Sequence, residues 1–128
     1  MGFINFNDIH VEFYLYLTMG NFDGDLTEEE INLIINLVVD KNKNYANRSI
    51  IEQIFNEAFN WWIDGLKKGE TIEVLKDKLP ILDNLDSDEK ISIILNMQKI
   101  MDVDGRKDKS EVILLQSIAE RWGITLRK

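Results

Sequence analysis

Apolar residues recur along this chain at three- and four-residue intervals, and no run alternates strictly between apolar and polar, so the pattern predicts helices and no strands. The first helix opens at Asn7 or Asp8 and carries Ile9, Phe13, Tyr16, Leu17 and Gly20 on one face, with His10 and Tyr14 on its flank. A second runs from about Glu28 to about Asp40, with Leu33, Ile34, Leu37 and Val38 as its stripe. The polar, asparagine-rich stretch 41–48 reads as a connection that includes Tyr45 and Arg48. Ser49-Ile50-Ile51-Glu52 has the form of a capping box and starts a helix bearing Ile51, Ile54, Phe55, Ala58, Phe59, Trp61, Trp62 and Gly65. Apolar residues cover most of that helix's circumference, which places it at the centre of the fold.

Lys67-Lys68-Gly69-Glu70 is a turn, and Thr71 begins a shorter helix with Ile72, Leu75 and Leu79 inward. Pro80 lacks an N–H and crowds the preceding turn, yet Ile81, Leu82 and Leu85 keep the spacing, so a bent or two-piece helix is expected there. Asp86-Ser87-Asp88-Glu89 is a start signal whose acidic residues suit the helix dipole. The helix it opens carries Ile91, Ile94, Leu95, Gln98 and Met101, with Met97 beside them. The last helix runs from about Lys109 to Trp122, with Gly123 as the natural residue just past its end, Ile124 docking back, and Arg127 and Lys128 fraying. The expected class is all-α: one domain over residues 1–128, a compact bundle of six or seven helices.

Two of the turns repeat each other. Asn21-Phe22-Asp23-Gly24-Asp25-Leu26-Thr27-Glu28-Glu29-Glu30 and Asp102-Val103-Asp104-Gly105-Arg106-Lys107-Asp108-Lys109-Ser110-Glu111 share Asp-Gly, then a capping residue, then Glu, at one constant separation. Each follows one helical pattern and opens another, which gives a pseudo-twofold pair of helix–Asp-Gly turn–helix units. Glycine after aspartate permits the positive φ of a tight turn. Thr27 and Asp108 stand where N-caps belong, and Glu30 and Glu111 fall three residues later, as in a capping box. Capping alone accounts for both glutamates, at about 0.5–2 kcal/mol per cap. Both also begin the apolar stripe of their helices, and a carboxylate at the edge of a core needs a partner. Asp23 and Asp104 can be that partner only with a proton or a cation between.

An EF-hand loop supplies a frame for this chemistry, with oxygens at positions 1, 3 and 5, Gly at 6 and Glu at 12. Placing Gly24 at position 6 puts Asn21, Asp23 and Glu30 at 3, 5 and 12; placing Gly105 there does the same for Asp102, Asp104 and Glu111. Position 1 breaks the match, because Met19 and Ile100 offer no oxygen. Each half is a truncated loop, and two halves packed together would make one shared acidic pocket whose repulsion a cation relieves. Candidate metal ligands are Asp23, Glu30, Asp104 and Glu111, with Asp25 and Asp102 as outer ones. Oxygen-only ligation favours Ca²⁺, Mg²⁺ or Mn²⁺.

Composition narrows the classes. Apolar residues make up 45% of the 128, enough for a core, and the absence of cysteine excludes disulfides and thiolate metal sites. A net charge of −8 repels a phosphate backbone, so nucleic acid is not an expected partner. No stretch is apolar for the ~18 residues a spanning helix needs, the first ten residues lack Lys and Arg, and Phe6 stands where a myristoylation signal has Ser or Thr. The expectation is a soluble, cytoplasmic protein, with membrane association only through partners. His10, the one histidine, has no second histidine or Glu-x-x-His beside it, and reads as a surface or boundary residue rather than a di-iron ligand. No Ser-His-Asp set and no P-loop appears, which argues against catalysis. Trp61 and Trp62 cannot face the same way: the plainer reading puts one inside and one in a groove between helices, the sharper makes one an exposed anchor for a protein partner.

The paired segments also carry a resemblance. Asp23-Gly24…Glu30 with Ile31 and Ile34 behind it, and Asp104-Gly105…Glu111 with Leu114, Leu115 and the Ile118-Ala119…Trp122-Gly123 ending, resemble the TerB-like domain of bacterial tellurite-resistance proteins. The family often has Ala before the first Asp-Gly, where this chain has Phe22; the second segment has Val103, and Lys107 stands where Leu26 stands in the first. The resemblance spans nearly the whole chain and implies a compact helical domain with an acidic, metal-binding face that serves stress-response or membrane-associated assemblies. The function expected is a non-catalytic, cation-binding module; the alternatives are a purely structural protein-interaction domain and, with less support, a metal-dependent hydrolase.

Overall fold

The computed structural model describes residues 8–20, 27–42, 47–103 and 109–125. They form six helices and no strand: α1 (Asp8–Gly20), α2 (Glu28–Asn42), α3 (Arg48–Lys68), α4 (Thr71–Asp83), α5 (Ser87–Val103) and α6 (Lys109–Arg121). The all-α bundle is as the periodicity predicts.

The centre of that bundle is α1, not α3. From His10 to Met19 every side chain is buried, and α1 packs on all five other helices. The reason is visible in retrospect: between Val11 and Met19 only Glu12 and Thr18 interrupt aromatic and aliphatic residues, so no face is left for water. Thr18 turns its hydroxyl back onto the Tyr14 carbonyl at 2.8 Å, which removes one buried polar group from the account. By contrast α3 has a polar face, with Gln53, Asn56, Asn60 and Asp64 exposed, and buries Ile51, Phe55, Ala58, Trp62 and Gly65. His10 and Tyr14 are therefore core residues rather than flank residues. An aromatic ladder ties the two helices: Phe13 meets Phe55 edge-on at 5.1 Å, Phe55 stacks on Phe59, and Phe59 lies 6.0 Å from Trp62.

One glycine is set by close approach. A Cβ at Gly65 would stand 2.7 Å from the Tyr14 hydroxyl, so only glycine lets α3 and the first turn of α4 close over that ring. Burial, followed by the nearby charges of Asp64 and Glu70, pushes the Tyr14 phenol up to about 12.

Local signals set most helix ends. Asn47 caps α3, its side chain accepting from the Ile50 N–H at 3.0 Å, so the helix starts before the Ser49 expected from the sequence. Asp86 caps α5 by accepting from the Glu89 N–H at 2.9 Å. Past α6, Gly123 takes φ 66°, and the Ile124 N–H returns to the Ala119 carbonyl at 2.8 Å, which docks Ile124 against the core as expected. Pro80 neither breaks nor divides α4, which runs on to Asp83. The carbonyl that loses its N–H belongs to exposed Lys76, where water can serve it.

The stripe of α5 is in a different phase from the expected one. Ile93, Ile94, Met97, Ile100 and Met101 are buried, with Asn96 among them, while Ile91 and Leu95 face outward. Apolar residues on α5 satisfy two overlapping stripes. Packing on α1, α2 and α6 selects the one that looks inward.

Candidate functional site

The first Asp-Gly corner leads into α2. Thr27 and Glu30 close a capping box there: the Glu30 N–H donates to Thr27 Oγ1 at 3.1 Å, and Glu30 Oε1 accepts from the Thr27 hydroxyl at 3.1 Å and from its N–H at 3.4 Å. Glu30 is only 4% exposed. It begins a buried face continued by Ile34, Ile35 and Val38, with Leu33 and Leu37 half-buried beside it. Glu28 and Glu29 share this first turn, where the helix dipole favours carboxylates, and point outward.

The second Asp-Gly segment precedes α6 in sequence. Glu111 is 1% exposed and opens the buried face of Leu115, Ile118 and Ala119, with Leu114 and Trp122 half-buried. The expectation that both glutamates look toward the core rather than into solvent is thus met at both corners.

Other predicted site residues fall elsewhere. Asp102 sits exposed in the last turn of α5. Asp23, Asp25 and Asp104 lie outside the described residues, as do Tyr45 and the second cap, Asp108. Met19 and Ile100, at the first position of the two truncated loops, are buried apolar side chains on α1 and α5, so neither corner has an EF-hand's first ligand. Among the described residues no group of three or more His, Cys, Asp or Glu is arranged to hold a metal ion.

The two tryptophans differ in burial. Trp62 is buried, and Trp61 is half-buried with its ring centroid 5.0 Å from that of His10. His10 is not a boundary residue: 4% exposed, it lies 2.8 Å from the Glu57 carboxylate through Nε2. Buried apolar neighbours on α1 carry it inward with the rest of that helix.

A polar cluster that sequence reasoning missed occupies the middle of α1. Glu12, 2% exposed, accepts from the Tyr16 hydroxyl at 2.6 Å and from Lys41 Nζ at 2.9 Å. Asn96 of α5 donates to the Tyr16 oxygen at 3.2 Å. Burial raises the Glu12 carboxyl above the usual carboxylate range, outweighing the opposite pull of Lys41 and Tyr16. The same burial, with the Glu12 charge beside it, pushes the Tyr16 phenol well up. The one sequence signal is a lone acidic residue inside an otherwise apolar helix, which has to find a partner from another element.

A third feature joins the ends of α4 and α6. Asp83 accepts from Arg121 Nε at 2.9 Å, from its second nitrogen at 2.6 Å, and from the Trp122 indole N–H at 2.8 Å. The Arg121 hydrogen bond holds the Asp83 carboxyl below its usual range, against partial desolvation, with help from Trp122.

No family model, no curated protein and no solved structure matches the chain. None of the described helices is long and apolar enough to cross a membrane.

Proposed function

We propose that this protein is a non-catalytic helical module that responds to a divalent cation of the Ca²⁺, Mg²⁺ or Mn²⁺ class at its acidic corners. One observation carries the reading: Glu30 and Glu111, equivalent positions of a repeated segment, both lie almost wholly out of water at the first turn of their helices. Capping by itself does not require burial, since Asp86 caps α5 while exposed. Burying a carboxylate costs solvation that a hard cation, itself bound by oxygens, can return. The Asp-Gly segments supply further oxygens from Asp23, Asp25, Asp102 and Asp104 in sequence beside the two glutamates. The TerB-like resemblance of these same segments supports the reading, and with it a cytoplasmic stress-response or tellurite-resistance setting in which the module works through protein partners.

The test is calorimetry and thermal melting with each of the three cations. Metal at about 100 times Kd should stabilise the fold by about 2.7 kcal/mol. The double variant Glu30→Gln with Glu111→Gln keeps a side-chain oxygen for capping and removes two charges. It should melt higher than the wild type without metal and lose the metal response. No heat and no melting shift with any of the three ions overturns the proposal.

The second reading, an interaction domain whose corners only shape helix starts, is favoured by the Thr27–Glu30 capping box, in which the Glu30 Oε1 atom is already engaged. Unchanged stability of the double variant, with no metal effect on either protein, selects it. The metal-dependent hydrolase has less support: His10 is held by Glu57 within the α1–α3 packing.

A further inference from the structure

Helices α4 and α6 both pack on α1 but not extensively on each other, and a groove of about 610 Å³ runs between them. Its floor is apolar, made by Leu75 and Leu79 from α4 and Ile118 from α6. Its walls carry Ile72, Leu114 and Ile113, the last 53% exposed. On α6 the lining runs from Ser110 to Arg121, about 16 Å or three helical turns, and Ser117 keeps the middle of that wall low.

Charge in the groove runs against the rest of the molecule. The chain has 23 acidic and 15 basic residues, yet the polar lining is Lys76, Arg121, Ser110 and Ser117, with no carboxylate. Arg121 is engaged at the groove's end by Asp83. No carboxylate of the described residues pairs with Lys76, which stands exposed on the α4 wall.

We infer that the α4–α6 groove is a docking site for a single amphipathic helix of another protein, one presenting apolar residues over three turns and a carboxylate opposite Lys76. An open, apolar, three-turn trough flanked by two helices has the form that receives a helix by its i, i+4 and i+7 side chains. At short range the unmatched Lys76 in a carboxylate-free lining selects a carboxylate on the docked helix, while the net charge of −8 opposes a strongly acidic one, so the occupant is an amphipathic helix with its carboxylate placed at Lys76 rather than a uniformly acidic one. The site does not depend on the cation reading and uses none of its residues except the elements that carry them.

The experiment selects binders for the full-length protein from a displayed library of sixteen-residue helices, with apolar anchors fixed at i, i+4 and i+7 and all other positions random. Recovered helices should be enriched in Asp or Glu at the position facing Lys76, and should shift the backbone resonances of Ile72, Ile113, Leu114 and Ser117. Ile113→Glu should weaken them about tenfold or more, and Lys76→Glu should weaken acidic helices up to about fivefold while favouring basic ones. Both positions are exposed, so the melting temperature checks that the fold survives; if Ile113→Glu fails that check, Ser117→Arg fills the groove from another exposed position. No enriched helix, enrichment without acidic bias, or binding indifferent to these variants overturns the proposal. So does a concentration-dependent dimer of the chain alone that Ile113→Glu dissolves, which would make the groove an interface between copies. Removal of residues 1–7, which include Phe3, Ile4 and Phe6, should leave affinity unchanged; binding that appears only in the truncated chain would give the groove to that segment instead.

Discussion

The middle of α1 and the first turn of α2 each hold a carboxylate nearly out of water, Glu12 at 2% and Glu30 at 4% exposure, and they solve the problem differently. Glu30 uses what its own turn provides: a hydroxyl and an N–H from Thr27, three residues back. Glu12 sits where the N–H groups of its helix are already committed, so it draws a hydroxyl from the next turn, Tyr16, and an ammonium from the far end of α2, Lys41. A helix start can engage one oxygen of a buried acid locally, whereas a helix middle makes the acid depend on the tertiary fold. The second arrangement is correspondingly the more fragile, because removing one partner leaves the charge stranded.

The sharpest way to break the comparison is Lys41→Met. It strips Glu12 of its cation and should cost about 3 kcal/mol at neutral pH in urea unfolding, the low end for a severed buried pair because Lys41 keeps some contact with water. The loss should also depend on pH in a definite direction. A carboxyl whose folded pKa is raised holds its proton in the folded chain where the unfolded chain has lost it. Its favourable contribution is full below the ordinary value of 4.5 and falls away as pH rises through the raised value. Lys41→Met raises that value further, so the variant should lose stability more steeply between mildly acidic and neutral pH. Glu12→Gln, which cannot ionise, should flatten the profile. A Lys41→Met protein as stable as wild type at pH 7 would show that Glu12 does not need its distant partner.

Gly65→Ala tests the same long-range dependence through packing. The added methyl meets the Tyr14 hydroxyl at 2.7 Å, on a ring that the core holds in place, and should cost about 1–3 kcal/mol by thermal melting. An unchanged melting temperature would mean that Tyr14 moves aside freely.

Thr27→Ala probes the local solution. It deletes the cap and the hydroxyl that donates to Glu30, and should cost about 1 kcal/mol, less than the Lys41 change. If it costs more, Glu30 is no better insured than Glu12 and the contrast fails.

Asp83→Asn should have the smallest effect, about 0.5 kcal/mol, because the α4–α6 clip to Arg121 and Trp122 is partly open to water. The pH dependence runs opposite to that of Glu12. The Asp83 carboxyl is lowered, so its contribution is present above the ordinary 3.8 and is lost as pH falls through the lowered value. The acid-side melting curve of the variant, compared with wild type, checks it.

These contrasts track what was legible beforehand. The Thr27–Glu30 box, the Asp86 cap and the Gly123 ending were readable because each involves residues a few positions apart, whose geometry the backbone fixes. The inward direction of Glu30 and Glu111 was readable because each sits in phase with its own apolar stripe. The Glu12–Lys41–Tyr16–Asn96 cluster was not, because its members come from three helices and only the bundle brings them together. The α4–α6 groove was not, because an exposed Ile113 looks in sequence like any other apolar position on α6.

From residue order alone came the all-helical class, most helix ends and the repeated acidic corners, since these rest on periodicity and on short-range capping. Only the tertiary structure decided that α1 rather than α3 lies at the centre, and which of two apolar stripes on α5 turns inward. Burial is a property of what surrounds a helix. A sequence states how much apolar surface each helix offers, but the competition among six helices for one interior decides which surface is covered.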